Sequence, residues 1–139
     1  MNTKNIIILT VVLGVLTFGA LSWASTDLPL MATKAHPNAS GTASFSQDGL
    51  SIRAKGLQPD KVYTVWFVNM KPKKHEIGAG NPPYMFKTDS NGNGLYESHL
   101  SDLPFGKWAM LMVVLHPNGD PMDMKNMVGA LSAKIPENR

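Results

Sequence analysis

Between residues 116 and 127 the chain reads HPNGDPMDMKNM, with one His, three Met and two Asp in twelve residues. Thioether sulfur is a soft, neutral donor and, with an imidazole beside it, suits Cu(I). Met122 and Met124 are two apart, so an extended segment points both the same way. Pro117, Gly119 and Pro121 let the loop fold back and bring His116 and Met127 toward them. His116, Met122, Met124 and Met127 are therefore the candidate ligands of a copper, Cu(I), site. The plainer alternatives are a methionine-rich turn between two strands and an exposed, adaptable apolar patch for a partner.

Just upstream, in KWAMLMVVLH, alternation puts Trp108, Met110, Met112, Val114 and His116 on one strand face. Met110 or Met112 could extend the soft-ligand set. The first expectation for both is core packing, because Met fills irregular gaps in cores.

A second pattern, DSNGNG at 89–94, reads D-x-N-x-N-G, the first half of a Ca²⁺ loop. The bidentate carboxylate due at the twelfth position is Leu100, and Glu97 would point along a strand. Asn and Gly in such a run also form hairpin turns, so a turn is expected and Ca²⁺ is not. The histidines, His36, His75, His99 and His116, form no H-x-H or H-E-x-x-H pair. His99 and Glu97 share a strand face and are expected in solvent. There is no G-x-S-x-G or S-x-x-K motif, and GAGNPPYMF (78–86) lacks the Lys-Ser/Thr end of a phosphate loop. Binding is expected rather than catalysis.

The elements that must position these residues are short strands separated by turns. SGTASFS-QDG-LSIRAKG (40–56) reads as a hairpin with Asp48-Gly49 in the turn. Leu50, Ile52 and Ala54 alternate with Ser51, Arg53 and Lys55, as in a half-buried strand. KVYTVWFVNM (61–70) is apolar on both faces, so it reads as a central strand. PYMFKT, GLYESHL, KWAMLMVVLH and NMVGALSAKI follow with Pro and Gly in the gaps. The expected fold is all-β, an antiparallel Ig-like β-sandwich of about seven strands.

The N-terminus carries one cation, Lys4, then an apolar run from Ile6 to Leu21, then SWA. This is the three-part pattern of a secretory signal peptide, residues 1–24, cut after Ala24. A membrane anchor follows only if the segment is not cut, since residues 6–24 approach a bilayer-spanning length. Residues 25–39 show no clear period and read as a lead-in or tether; residues 40–139 are the β-sandwich domain. Asn38 heads an N-A-S sequon, relevant where secreted proteins are glycosylated. A periplasmic or secreted location is expected. The chain has no Cys, which excludes thiolate nucleophiles and thiolate metal sites. Without Lys4 the balance is 12 basic to 10 acidic residues, with no clustered footprint for nucleic acid. The short basic run KPKKHE (71–76) reads as a solvated loop. The partners expected are a metal ion or an envelope protein, and the oligomeric state is left open.

Three segments together resemble a known module: GLQPDKVYTVWFV (56–68), FKTDSNGNGLYESHLSDLPFG (86–106) and VVLHPNGDPM…VGALSAKI (113–135). In that order they are similar to the extracytoplasmic C-terminal β-sandwich domain of anti-sigma-K (RskA-type) factors. The likeness spans most of the chain after the signal and consists of turn and strand signatures. Those regulators carry a cytoplasmic sigma-binding domain and a membrane helix ahead of the module, whereas here only a signal precedes it. The resemblance therefore implies a stand-alone exported sandwich and transfers no functional residue.

Overall fold

The computed structural model describes residues 25–139, so the expected signal segment 1–24 lies outside the described residues. The described chain is all-β, and every strand pairing is antiparallel. The strands are β1 (Thr26–Ala32), β2 (Ser40–Phe45), β3 (Gly49–Lys55), β4 (Val62–Asn69), β5 (His75–Gly78), β6 (Met85–Lys87), β7 (Gly94–His99), β8 (Met110–His116) and β9 (Val128–Lys134). They form one curled sheet in the order β5-β4-β8-β9-β1-β2-β3-β7, with β6 also on β4. There are nine strands rather than about seven, the additional ones being β1 and the short β5.

The curl turns on β1. Residues 26–30 pair with β2, while Met31 and Ala32 pair with β9. One strand thus serves both halves of the sheet, and the inner faces of the halves close on a single core. Residues 25–39, expected as a tether, therefore contribute a strand. Leu28 and Leu30 are buried on its inner face. Pro29 lacks a ladder donor, and it sits in the part of β1 bonded only to β2, where none is missed.

The hairpin expected at 40–56 is present, with Phe45 opposite Leu50 and Ser46 to Asp48 between the strands. Leu50, Ile52 and Ala54 face the core, as their alternation predicts. Strand β4 has neighbours on both sides, β8 on one and β5 and β6 on the other. Its inner face is Tyr63, Val65 and Phe67; its outer face is Val62, Thr64, Trp66 and Val68.

The open side of the curl is closed by side chains. Phe86 of β6 packs against Tyr96 of β7 at 6.3 Å and stacks on Tyr63 at 5.5 Å. The Tyr96 hydroxyl donates to the Ala79 carbonyl at 2.5 Å, and Ser98 Oγ accepts the Asn81 N–H at 2.7 Å. These bonds tie the loop after β5 to β7.

Strand β8 corrects one expectation. Its core-facing residues are Leu111, Val113 and Leu115, all nearly inaccessible. Met110 and Met112 are half-buried on the opposite, outward face. The strand is apolar on both sides, so its period alone did not reveal which side is the core. Among the described residues, no methionine belongs to the core cluster.

Candidate functional site

The outward face of the β4–β8–β9 half is unlike that of the hairpin half. On β3 the outward residues are Ser51, Arg53 and Lys55, ordinary solvent-facing types. On β8 they are Met110, Met112, Val114 and His116. Register places Met112 between Trp66 of β4 and Ser132 of β9, and Ser132 is in turn paired with Met31 of β1. Met85 of β6 pairs with Thr64 of β4 on the same face. Tyr84 lies against Trp66 at 5.5 Å. A band of thioether and aromatic side chains therefore crosses this face.

His116 closes the β8 end of the band. Although on the outward face, it is 0% exposed. Its Nε2 lies 2.6 Å from Thr64 Oγ1, and Thr64 is also 0% exposed. Trp66 Nε1–H donates to the same oxygen at 2.7 Å. The sequence signalled none of this, because Thr64 and Trp66 join His116 only through the β4–β8 pairing. Alternation within β4 does place Thr64 and Trp66 on one face, which is the part of the signal that was available.

The other ring nitrogen of His116, Nδ1, is buried with no hydrogen-bond partner. A buried, unpaired polar atom costs about 1–3 kcal/mol and calls for an explanation such as an ion or a water. Thr64 Oγ1, which already accepts from Trp66, either donates its own proton to Nε2, leaving Nδ1 as an unpaired N–H, or accepts from Nε2–H, leaving Nδ1 a free lone pair. The second is the form a metal would use, with Thr64 orienting the ring from behind.

The loop after His116 is built on Asp123. Its carboxylate accepts from Lys125 N at 3.0 Å, Asn126 Nδ2 at 2.8 Å and Asn118 Nδ2 at 2.5 Å. These bonds, led by the Asn126 side chain, hold the Asp123 carboxyl below the ordinary carboxylate value. Asp120 Oδ1 accepts from Met122 N at 2.9 Å. The loop is thus ordered by its polar residues, and its methionines are presented outward. Met122 is 74% exposed and Met124 42%.

Of the four candidate ligands, His116 ends β8 and the three methionines lie in the loop, Met127 at its end next to β9. The last β8–β9 pair is Leu115 with Val128. His116 is the last residue of β8 and pairs with Val62 of β4, and Met127 is the loop residue that immediately precedes β9. Met122 and Met124 sit between them in the chain, at the loop's exposed surface.

The second pattern is a turn. Asp89 Oδ1 accepts from Asn91 N and Asn93 N, both at 2.9 Å, and Gly92 takes φ +79°. Those backbone donors, Asn93 foremost, lower the Asp89 pKa from its usual value. Leu100, at the twelfth position, is a core residue. His99 meets Asp48 at 3.9 Å rather than Glu97. Among the described residues no three His, Asp or Glu side chains gather as a hard-ligand cluster. No described helix is long and apolar enough to cross a membrane.

No family model, curated protein or solved structure matches this chain. The reading of its site rests on geometry alone.

Proposed function

We propose that this chain is an exported small binding protein that holds Cu(I) at the base of the 117–127 loop, with His116, Met122, Met124 and Met127 as its donors. The observation that carries the reading is the buried, unpartnered Nδ1 of His116 at the base of the methionine-rich loop. A soft cation is the ligand that suits imidazole plus thioether. Bound there, Cu(I) would be kept from solvent and from redox partners, which is a buffering or handling role rather than catalysis. Met122 and Met124 are exposed in the loop, so on this reading an incoming ion meets them before it reaches the buried ring.

The test is a Cu(I) titration of the purified protein against a chromophoric chelator, beside a variant with Met122, Met124 and Met127 all changed to Leu. Stoichiometric competition that the variant loses supports the reading. Absence of competition, or equal competition by both proteins, overturns it.

A second reading is favoured by the exposure of Met31, Met70 and Met85. Exposed methionines make an adaptable apolar surface suited to a protein partner. On this view the chain is a metal-free envelope interaction module, its curled sheet an Ig-like sandwich related to the anti-sigma-K extracytoplasmic domain. Retention of a partner by the triple-Leu variant, together with no Cu(I) binding by either protein, would favour it.

A further inference from the structure

One position on the outward face of β8 and β9, Gly129, carries no side chain. Gly129 pairs with Val114, two residues before His116 on β8. It also lies two residues after Met127, the loop residue that precedes β9. The backbone of Gly129 is outside the left-handed region, so the turn chemistry that usually explains a glycine does not apply here. A Cβ added at Gly129 would sit 3.7 Å from the terminal methyl of Met112 and 3.7 Å from Thr33 Cγ2. The Met112 side chain therefore reaches along the strand toward the His116 end, over the space that Gly129 leaves. The local irregularity of the ladder between Val113 and Val114 falls at the same place; such bulges re-aim side chains.

We propose that Met112 completes the soft-metal site. Its donors are then His116 Nδ1, Met127 Sδ and Met112 Sδ, gathered over Gly129, while Met122 stays outside the final coordination set. This rests on the Cu(I) reading and changes its ligand set. Three observations converge on it. The imidazole is wholly buried with one nitrogen unpaired, whereas Met122 is 74% exposed and attached to an Asp-ordered loop. Met112 is on the same strand face as that imidazole and its terminal methyl reaches Gly129, two residues after Met127 in the chain. Two thioethers and one imidazole make a neutral, soft set, which favours Cu(I) or Ag(I) over Zn²⁺ or Ca²⁺. Met112 is also the register partner of Trp66 on β4, which shares the outward face.

The experiment uses Ag(I), a redox-stable probe of the same softness, and the purified protein with ¹³C-methyl-labelled methionine. The methyl resonances of Met112 and Met127 are expected to shift together, with Met122, Met31 and Met70 unmoved. Met112→Leu conserves volume and leaves the fold intact; it is expected to weaken Cu(I) binding by roughly tenfold or more, the scale on which even ligand-orienting groups act. Met122→Leu is expected to leave affinity unchanged. Gly129→Val keeps every donor but puts two methyls at that position, and it is expected to weaken binding where Gly129→Ala does not. If the protein binds but Met122 and Met124 shift while Met112 stays still, the ligand set is wrong and the Cu(I) reading survives. Unchanged affinity in both Met112→Leu and Gly129→Val also refutes the proposal. No Ag(I) or Cu(I) binding at all overturns the reading on which it rests.

Discussion

Thr64 is the pivot of the outward face, and replacing it tests whether the His116 network matters energetically. Thr64→Val keeps the side-chain shape and removes the hydroxyl. His116 Nε2, wholly buried, then loses its 2.6 Å partner. That leaves a buried polar nitrogen unpaired, a cost of about 1–3 kcal/mol. Trp66 Nε1 loses its 2.7 Å acceptor, but its ring is only half-buried and water can replace the bond, so the loss is about 0.5–1 kcal/mol. Together the expected destabilisation is about 1.5–4 kcal/mol, a large part of the roughly 5–15 kcal/mol available to a domain. Thr64→Ser is the control. It keeps the hydroxyl and deletes a buried methyl, which costs about 0.8–1.5 kcal/mol. Urea denaturation of both variants, with slopes unchanged from the parent, gives the comparison; the Val midpoint is expected to fall by about 1–2 M, and further than the Ser midpoint. If Thr64→Val proves at least as stable as Thr64→Ser, the network contributes no net stability and the reasoning fails.

Two further outcomes follow from packing and burial. Leu111 and Met112 are neighbours on β8 facing opposite ways, so Leu111→Ala should cost about 2–5 kcal/mol and Met112→Ala clearly less; similar losses would contradict the assignment of faces. His36 is buried, with Nε2 3.1 Å from the Tyr63 hydroxyl and Nδ1 unpartnered, and burial lowers its pKa from 6.5. The unfolded chain then binds a proton that the folded chain refuses between pH 6.5 and the lower folded value, so stability is full above 6.5 and falls as pH drops through that window. Denaturation midpoints across pH 4–8, compared with His36→Gln, should show this loss in the parent only; the same loss in His36→Gln would place its origin elsewhere.

Much of the fold was legible because turn residues and period agreed. Asp48-Gly49 marked the hairpin, and the alternation of Leu50, Ile52 and Ala54 marked the side facing the core. Strand β1 was not legible. Its inward residues are only Leu28 and Leu30, with Pro29 between them, and it becomes a strand because β2 and β9 each supply a partner for part of it. The candidate site was legible in type but not in assembly. His116 and the loop methionines stood out by composition, whereas Thr64, Trp66 and Gly129 acquire their roles from pairings across more than ten residues of sequence.

The facing of β8 explains why the methionines are more informative in the structure than in the sequence. A core can use Met as a gap-filler, and in that setting the sulfur carries no message. Here the core is filled by Leu, Val, Ile, Ala and aromatic residues, while Met31, Met85, Met110 and Met112 stand on a face that water reaches. Solvation of that face would be served by the Ser, Arg and Lys types that cover β3, and packing against a neighbouring strand would be served by Val or Leu. Neither need selects an unbranched thioether. The two proposed readings each supply such a need, one through a soft cation that coordinates sulfur and the other through a surface that flexible sulfur-bearing chains can mould to. The two differ in one respect that substitution can read: Leu in place of Met retains most of the apolar contact and none of the metal affinity.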